Sequence, residues 1–188
     1  MTGISLIRPG QCSLFIFNMQ VEMISLLRDG AALLRDCCWL AEVANSLDVP
    51  VTVFEHRGLG AGAESLRAVT EQATRLEKAT FDSLEEPAIR AAEPGAQHPQ
   101  VVLAGSETHV TILPTALSFQ ALGKEVFVIA DAVSTRYAPD HEYGLGLLRA
   151  AGIILITKEI FFFQLLRSSE DPRYLPLARR FLDGRYFK

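Results

Sequence analysis

Short apolar runs alternate along this chain with longer stretches whose apolar residues recur at helical spacing. Five runs read as strands: residues 13–18 (SLFIFN), 50–55 (PVTVFE), 100–105 (QVVLAG), 125–130 (EVFVIA) and 153–157 (IILIT). Most are continuously apolar, the pattern of strands covered on both faces. Residues 74–78 (TRLEK) form a weaker strand candidate. Between the runs, helices are predicted over residues 26–47, 83–92, 108–122, 140–151, 158–168 and 172–182. Gly123 and Gly152 stand where helix C-terminal stops belong, and Gly30 weakens the start of the first helix.

Strands separated by helices imply right-handed crossovers and a parallel sheet, hence a three-layer α/β/α, Rossmann-like domain. In such a sheet, ligands bind beyond the carboxyl ends of the strands, where strand order reverses. That edge collects Asn18 and Gln20, Glu55 and His56, Lys78, residues 106–111 and Asp131.

Length and composition fit this picture. The chain of 188 residues suits one domain, and 49% hydrophobic with 21% charged residues is globular composition. A net charge of −4 without a Lys/Arg cluster points away from nucleic acid and from anionic membrane surfaces. No apolar run approaches the roughly 18 residues that span a bilayer. The first eleven residues do not read as a signal peptide. Cys12, Cys37 and Cys38 are odd in number, two of them adjacent in a helical stretch, so a disulfide framework is not expected and a reducing cytoplasm is.

Several short motifs carry no specific chemistry. GLGAG at residues 58–62 resembles a dinucleotide fingerprint but lacks its downstream acidic residue and a clear helix start, so a flexible loop is expected and no cofactor. His56, His98, His109 and His141 lack metal-ligand spacing, so no metal site is expected. His109 either orients a ligand or is a satisfied buried histidine. Cys37 and Cys38, mid-helix in apolar surroundings, read as core rather than reactive thiols. Residues 161–163 (FFF) pack on the sheet, form a subunit interface, or both.

The most informative segment is GSETHVTILPTAL, residues 105–117, where a helix begins just after a buried strand. Backbone N–H groups at such a start favour negative charge, which makes an oxyanion hole possible, with Thr111 beside it. This segment resembles Gly-Ile-Glu-X-His-Val-Cys-Val-X-X-Thr-Ala of the isochorismatase-like hydrolase family. GKEVFVIADAVSTR (123–136) is similar to that family's next strand and its Asp-Ala-X-Ser-X-Arg turn. SLFIFNMQ (13–20), LEKATFDS (76–83) and ITKEIFFFQLL (156–166) match further family motifs in order, so the resemblance runs from about residue 12 to 181. It is to the small isochorismatase-domain branch, not to nicotinamidases, whose metal-binding Asp/His pattern is missing.

The resemblance implies a six-stranded parallel sheet in order 3-2-1-4-5-6, with residues 74–78 as the sixth strand. It also implies an Asp–Lys–Cys triad, a cis peptide at Ser106–Glu107 shaping the oxyanion turn with Thr111, and a homo-oligomer, for which residues 161–163 offer apolar surface. Carried over by position, Asn18 stands for the Asp, Lys78 for the Lys and Thr111 for the Cys. Gln20, Glu55, His56 and His109 are expected in the pocket. A neutral amide takes no proton near neutral pH, and a threonine hydroxyl is a poor nucleophile without a base. Three readings follow. The first is a catalytically impaired homologue that binds a small molecule, of unknown identity, or a partner. The second is a hydrolase of a small amide, ester or vinyl ether using Thr111 activated by Lys78. The third is a structural or partner subunit of an oligomer.

Overall fold

The SLFIFN run is the axis of the molecule. As β1 (Cys12–Phe17) it is buried at every position, with a parallel strand on either side. The structure is a computed structural model that describes residues 5–92, 94–95 and 97–182. Its other strands are β2 (Val51–His56), β3 (Thr74–Lys78), β4 (Gln100–Ser106), β5 (Glu125–Ser134) and β6 (Ile154–Ile156). They form one six-stranded sheet in the order β3-β2-β1-β4-β5-β6, every pair parallel. The order reverses between β1 and β4, so the crevice for a ligand opens above these two strands.

Period-two alternation splits the strands between two cores. Leu14 and Ile16 of β1, Val53 of β2 and Phe127 of β5 face a layer built from α2 (Gly30–Ser46), α7 (Lys158–Leu166) and α8 (Tyr174–Phe181). Phe15 and Phe17, with Phe54 and Leu103, face the opposite layer of α4 (Pro87–Ala92), α5 (Leu113–Ala121) and α6 (Ala138–Ala150). Phe17 stacks on Phe54 at 4.5 Å between ring centroids, and Phe15 meets Phe119 of α5 at 5.3 Å. Each such ring contributes roughly 1.5–3 kcal/mol through burial.

Local differences from the sequence pattern have physical causes. The helical periodicity over 26–47 runs through a break. α1 (Val21–Leu26) ends, and α2 begins at Gly30, where a β-carbon would come within 2.1 Å of the Ile24 carbonyl oxygen. The 108–122 helix opens as one π-helical turn, Thr108–Ile112, before α5. The 83–92 stretch divides into a 3-10 turn, Ser83–Glu85, and α4. α3 (Glu64–Val69) lies in a stretch that gave no helical signal. β5 runs on through Asp131 to Ser134, and Asp131 Oδ1 accepts the Lys158 N–H at the start of α7 (2.8 Å). The FFF run is chiefly core: Phe161 and Phe162 are fully buried and only Phe163 is partly exposed, so it supplies no broad interface.

The carboxyl ends of β1 and β4 meet at backbone level. Gly105 adopts φ +106°, and a β-carbon there would stand 2.3 Å from the Phe17 carbonyl oxygen. Gly105→Ala is expected to lower unfolding free energy by about 3 kcal/mol or more, because both the positive φ and the contact oppose a side chain. Urea denaturation checks this. A loss under roughly 0.5 kcal/mol, the range of neutral surface changes, would contradict the close approach.

Candidate functional site

Asn18 follows β1 in the left-handed region (φ +51°), a conformation its short amide tolerates. Its N–H donates to the Phe54 carbonyl (2.8 Å), and its carbonyl accepts the Ser106 hydroxyl (3.1 Å). The residue is thereby locked between β2 and β4 and is 3% exposed. Asn18 Nδ2 donates to Thr111 Oγ1 at 3.0 Å, with both groups buried. Asn18 Oδ1 is buried without a hydrogen-bond partner among the described residues.

Thr111 rides on the π-helical turn that follows β4. The Ser106–Glu107 peptide is cis. The N–H groups of Thr111 and Ile112 both donate to the Glu107 carbonyl (3.0 and 3.1 Å), so the Thr111 amide is engaged within the turn. The Glu107 carboxylate is buried and accepts from Arg136 Nε (3.0 Å) and the Arg136 N–H (3.3 Å), which also raises the Arg136 pKa. Behind the turn, Thr108 Oγ1 meets His141 Nδ1 of α6 at 3.0 Å. Burial, then the nearby Arg28, lowers the His141 pKa.

A cavity of about 550 Å³ opens above this floor, a size suited to a small ligand. Asn18, Glu107 and Thr111 form its polar base, and Met23, Leu26, Leu59, Phe81 and Val110 its apolar wall. His56, His109 and Arg136 complete it. His56 stacks on Phe81 with centroids 6.3 Å apart. His109 Nε2 lies 3.8 Å from Asp140 Oδ2, and its Nδ1 is buried without a partner among the described residues.

The residues named from sequence thus divide. Asn18, Glu107, Thr111, His56 and His109 line one cavity, while Gln20 and Glu55 do not. Gln20 is a brace. Its Oε1 accepts the His56 N–H (2.8 Å), and its Nε2 donates to the His56 and Gly60 carbonyls (2.8 and 2.9 Å), so it holds the loop that carries Leu59. Residues 58–63 are therefore tied to β1 rather than loose. Glu55 turns to Arg75 on β3 (3.5 Å). Arg136 and Phe81 also line the cavity, and both lie within the motifs that carry the family resemblance. The helical periodicity includes Leu26 as the head of the 26–47 stretch, but it does not distinguish the cavity-facing role of Leu26, nor that of Met23 or Leu59.

Lys78, last residue of β3, is fully buried but is not part of the cavity lining. Its Nζ donates to the Thr80 carbonyl at 2.9 Å. Burial pulls its pKa from 10.5 down to about 8, against the opposing pull of Asp82 and Glu86. Among the described residues no group of three His, Cys, Asp or Glu side chains could hold a metal ion, and no helix is long and apolar enough to cross a membrane.

A doubly wound α/β sheet with a polar-floored cavity at its switch point is the arrangement in which small-molecule sites are commonly found. The isochorismatase domain model matches residues 12–160. Over 139 residues the chain is 36% identical to isochorismatase domain-containing protein 1 of Danio rerio, covering 72% of this chain and 48% of that protein, so the match spans about half of that relative. Over 173 residues it is 30% identical to isochorismatase domain-containing protein 2 of Rattus norvegicus, covering 91% and 81%. The MAR1 ribonuclease structure from Caenorhabditis elegans superposes with a TM-score of 0.88 at 26% identity, over 96% of this chain and 94% of that one. The Escherichia coli YcaC gene product, described as an octameric hydrolase of unknown specificity, superposes with a TM-score of 0.88 at 19% identity, over 97% and 93%. The chain belongs to the isochorismatase domain family.

The lysine gives a pH test. With a folded pKa near 8 against 10.5 unfolded, the unfolded chain binds more protons between those values. Stability attributable to Lys78 therefore rises with pH across that window, and its buried charge is unfavourable below pH 8. Lys78→Met should stabilise the fold by about 1–3 kcal/mol at pH 7, as removal of a buried charge without a close carboxylate does. The advantage should fade towards pH 10. Chemical denaturation of both proteins at pH 7, 8.5 and 10 checks it, and a pH-independent difference would refute it.

Proposed function

We propose that this chain binds a small polar molecule in the 550 Å³ cavity and does not perform cysteine-type hydrolysis. The reading rests on one observation: the 3.0 Å hydrogen bond from Asn18 Nδ2 to Thr111 Oγ1. By resemblance these positions belong to a carboxylate base and a thiol nucleophile. An amide and a hydroxyl hold each other in place, but neither titrates near neutral pH. Loss of one member of such a unit costs on the order of 10⁴ in rate, and losses within a unit overlap rather than add. The pocket itself remains, with an unpartnered Asn18 Oδ1 and a mixed polar and apolar lining that suit a bound molecule. That open pocket weighs against a purely structural role.

A second reading uses Thr111 as nucleophile with neutral Lys78 as base, and the lowered Lys78 pKa of about 8 favours it. Against it, Lys78 Nζ is directed to the Thr80 carbonyl and lines no part of the cavity. A net charge of −4 without a Lys/Arg cluster weighs against a nucleic-acid ligand. A homo-oligomer belongs to the reading, supported by the octameric YcaC relative. So does a cytoplasmic setting, supported by three free cysteines.

Hydrolysis of a panel of activated amides and esters should stay at background for the wild type. Asn18→Asp combined with Thr111→Cys should create a thiol that iodoacetamide alkylates faster than the native cysteines, since burial pushes Cys12 up to about 11 and also raises Cys37 and Cys38. Each single change should do much less, because base and nucleophile act together. Mass-resolved alkylation reads this out. Robust wild-type turnover that vanishes in Thr111→Val would overturn the binding reading and establish the threonine–lysine one.

A further inference from the structure

α6 carries two glycines in opposite situations. Gly144 is buried, and a β-carbon there would come within 3.1 Å of Thr108 Cγ2 and 3.5 Å of the His109 Cα. The bare backbone lets α6 lie against the turn that carries Thr111. Gly146 is exposed, and nothing stands within 4 Å of where its β-carbon would be. A glycine in the interior of a 13-residue helix weakens it relative to alanine. Nothing within the described chain accounts for this one.

The surroundings of Gly146 supply an account. Tyr143 and Leu147, 77% and 56% exposed, flank it on one side of the helix surface. Glu142 and Arg149 flank it on the other, both exposed and neither in an ion pair among the described residues. At 3.6 residues per turn, Glu142, Gly146 and Arg149 share one ridge. We propose that α6 is the contact between two copies of this chain, their helices crossing antiparallel about a two-fold axis at Gly146.

The charge pattern selects that occupant and that direction. A two-fold antiparallel crossing sets like flank against like flank and reverses the residue order, so positions before Gly146 meet positions after it. Glu142, four residues before Gly146, then comes within one helical rise of Arg149 of the second copy, three after it, twice by symmetry, while the Tyr143 ring reaches along the helix over Leu147 of the second copy. A parallel pairing would instead set Glu142 against Glu142 and Arg149 against Arg149, which like charges oppose. Gly146 lets the two backbones approach at the crossing. The contact would also bear on the pocket, because the first turn of α6 holds the π-helical turn through His141 to Thr108 (3.0 Å) and Asp140 to His109 (3.8 Å).

The test is sedimentation of the full chain at micromolar concentration, with circular dichroism as the check of fold. Wild type should sediment at an even multiple of the 20.7 kDa chain. Glu142→Arg and Arg149→Glu should each halve that mass without changing the dichroism. Mixed in equal amounts they should restore it, since a Glu142→Arg copy and an Arg149→Glu copy are complementary at both contacts. If the charge variants fail to fold, Gly146→Cys gives an independent arm: mild oxidation should link two copies through position 146. A monomeric wild type, single variants that keep the wild-type mass, a folded mixture that stays dissociated, or no link through position 146 would each overturn the proposal.

Discussion

The site depends on how closely two strand ends can approach. At the switch point, β1 and β4 end side by side, and Gly105 lies so near the Phe17 carbonyl oxygen that no side chain fits between them. This contact sets the distance between everything that follows the two strands. Asn18 leaves β1 in a left-handed turn, Ser106 leaves β4 and donates to the Asn18 carbonyl, and the π-helical turn then delivers Thr111 to the Asn18 amide. The aromatic stack beneath, Phe17 on Phe54, fixes β1 against β2 from the other side. The polar floor is thus a consequence of backbone packing rather than of attraction between the polar groups.

That hierarchy explains what sequence made legible. Continuous apolar runs reported the central strands well, because burial on both faces leaves little freedom in composition. The exposed edge strand β3 was faint, and the family resemblance was needed to place it. Breaks inside helical patterns were hidden, since the reason α2 starts at Gly30 is a contact with Ile24 that no periodicity records. The same applies at the site. Residues at strand ends could be named from topology alone, but whether a side chain faces the cavity depends on local turns. Gln20 and Glu55 sit at the right edge and spend their polar atoms on the loop after β2 and on Arg75. Arg136 reaches the cavity because Glu107 holds it there, a partnership between segments 29 positions apart.

Lys78 is an unusual buried lysine. A buried ammonium normally has a carboxylate beside it. Here the group has a backbone carbonyl as acceptor, and Asp82 and Glu86 act on it without an ion pair. At position 18 the floor of the pocket carries a neutral amide, so no carboxylate from β1 balances the lysine.

The Gln20 brace has a bearing on how this pocket could diversify. One side-chain amide, rooted at the end of the central strand, satisfies backbone groups at His56 and Gly60. It reads only main-chain atoms, so the path of the loop is indifferent to the side chains it carries. Leu59 can be exchanged for a larger, smaller or polar residue while the loop keeps its course. Shape and chemistry of that wall are in this way uncoupled from the hydrogen bonds that hold the loop.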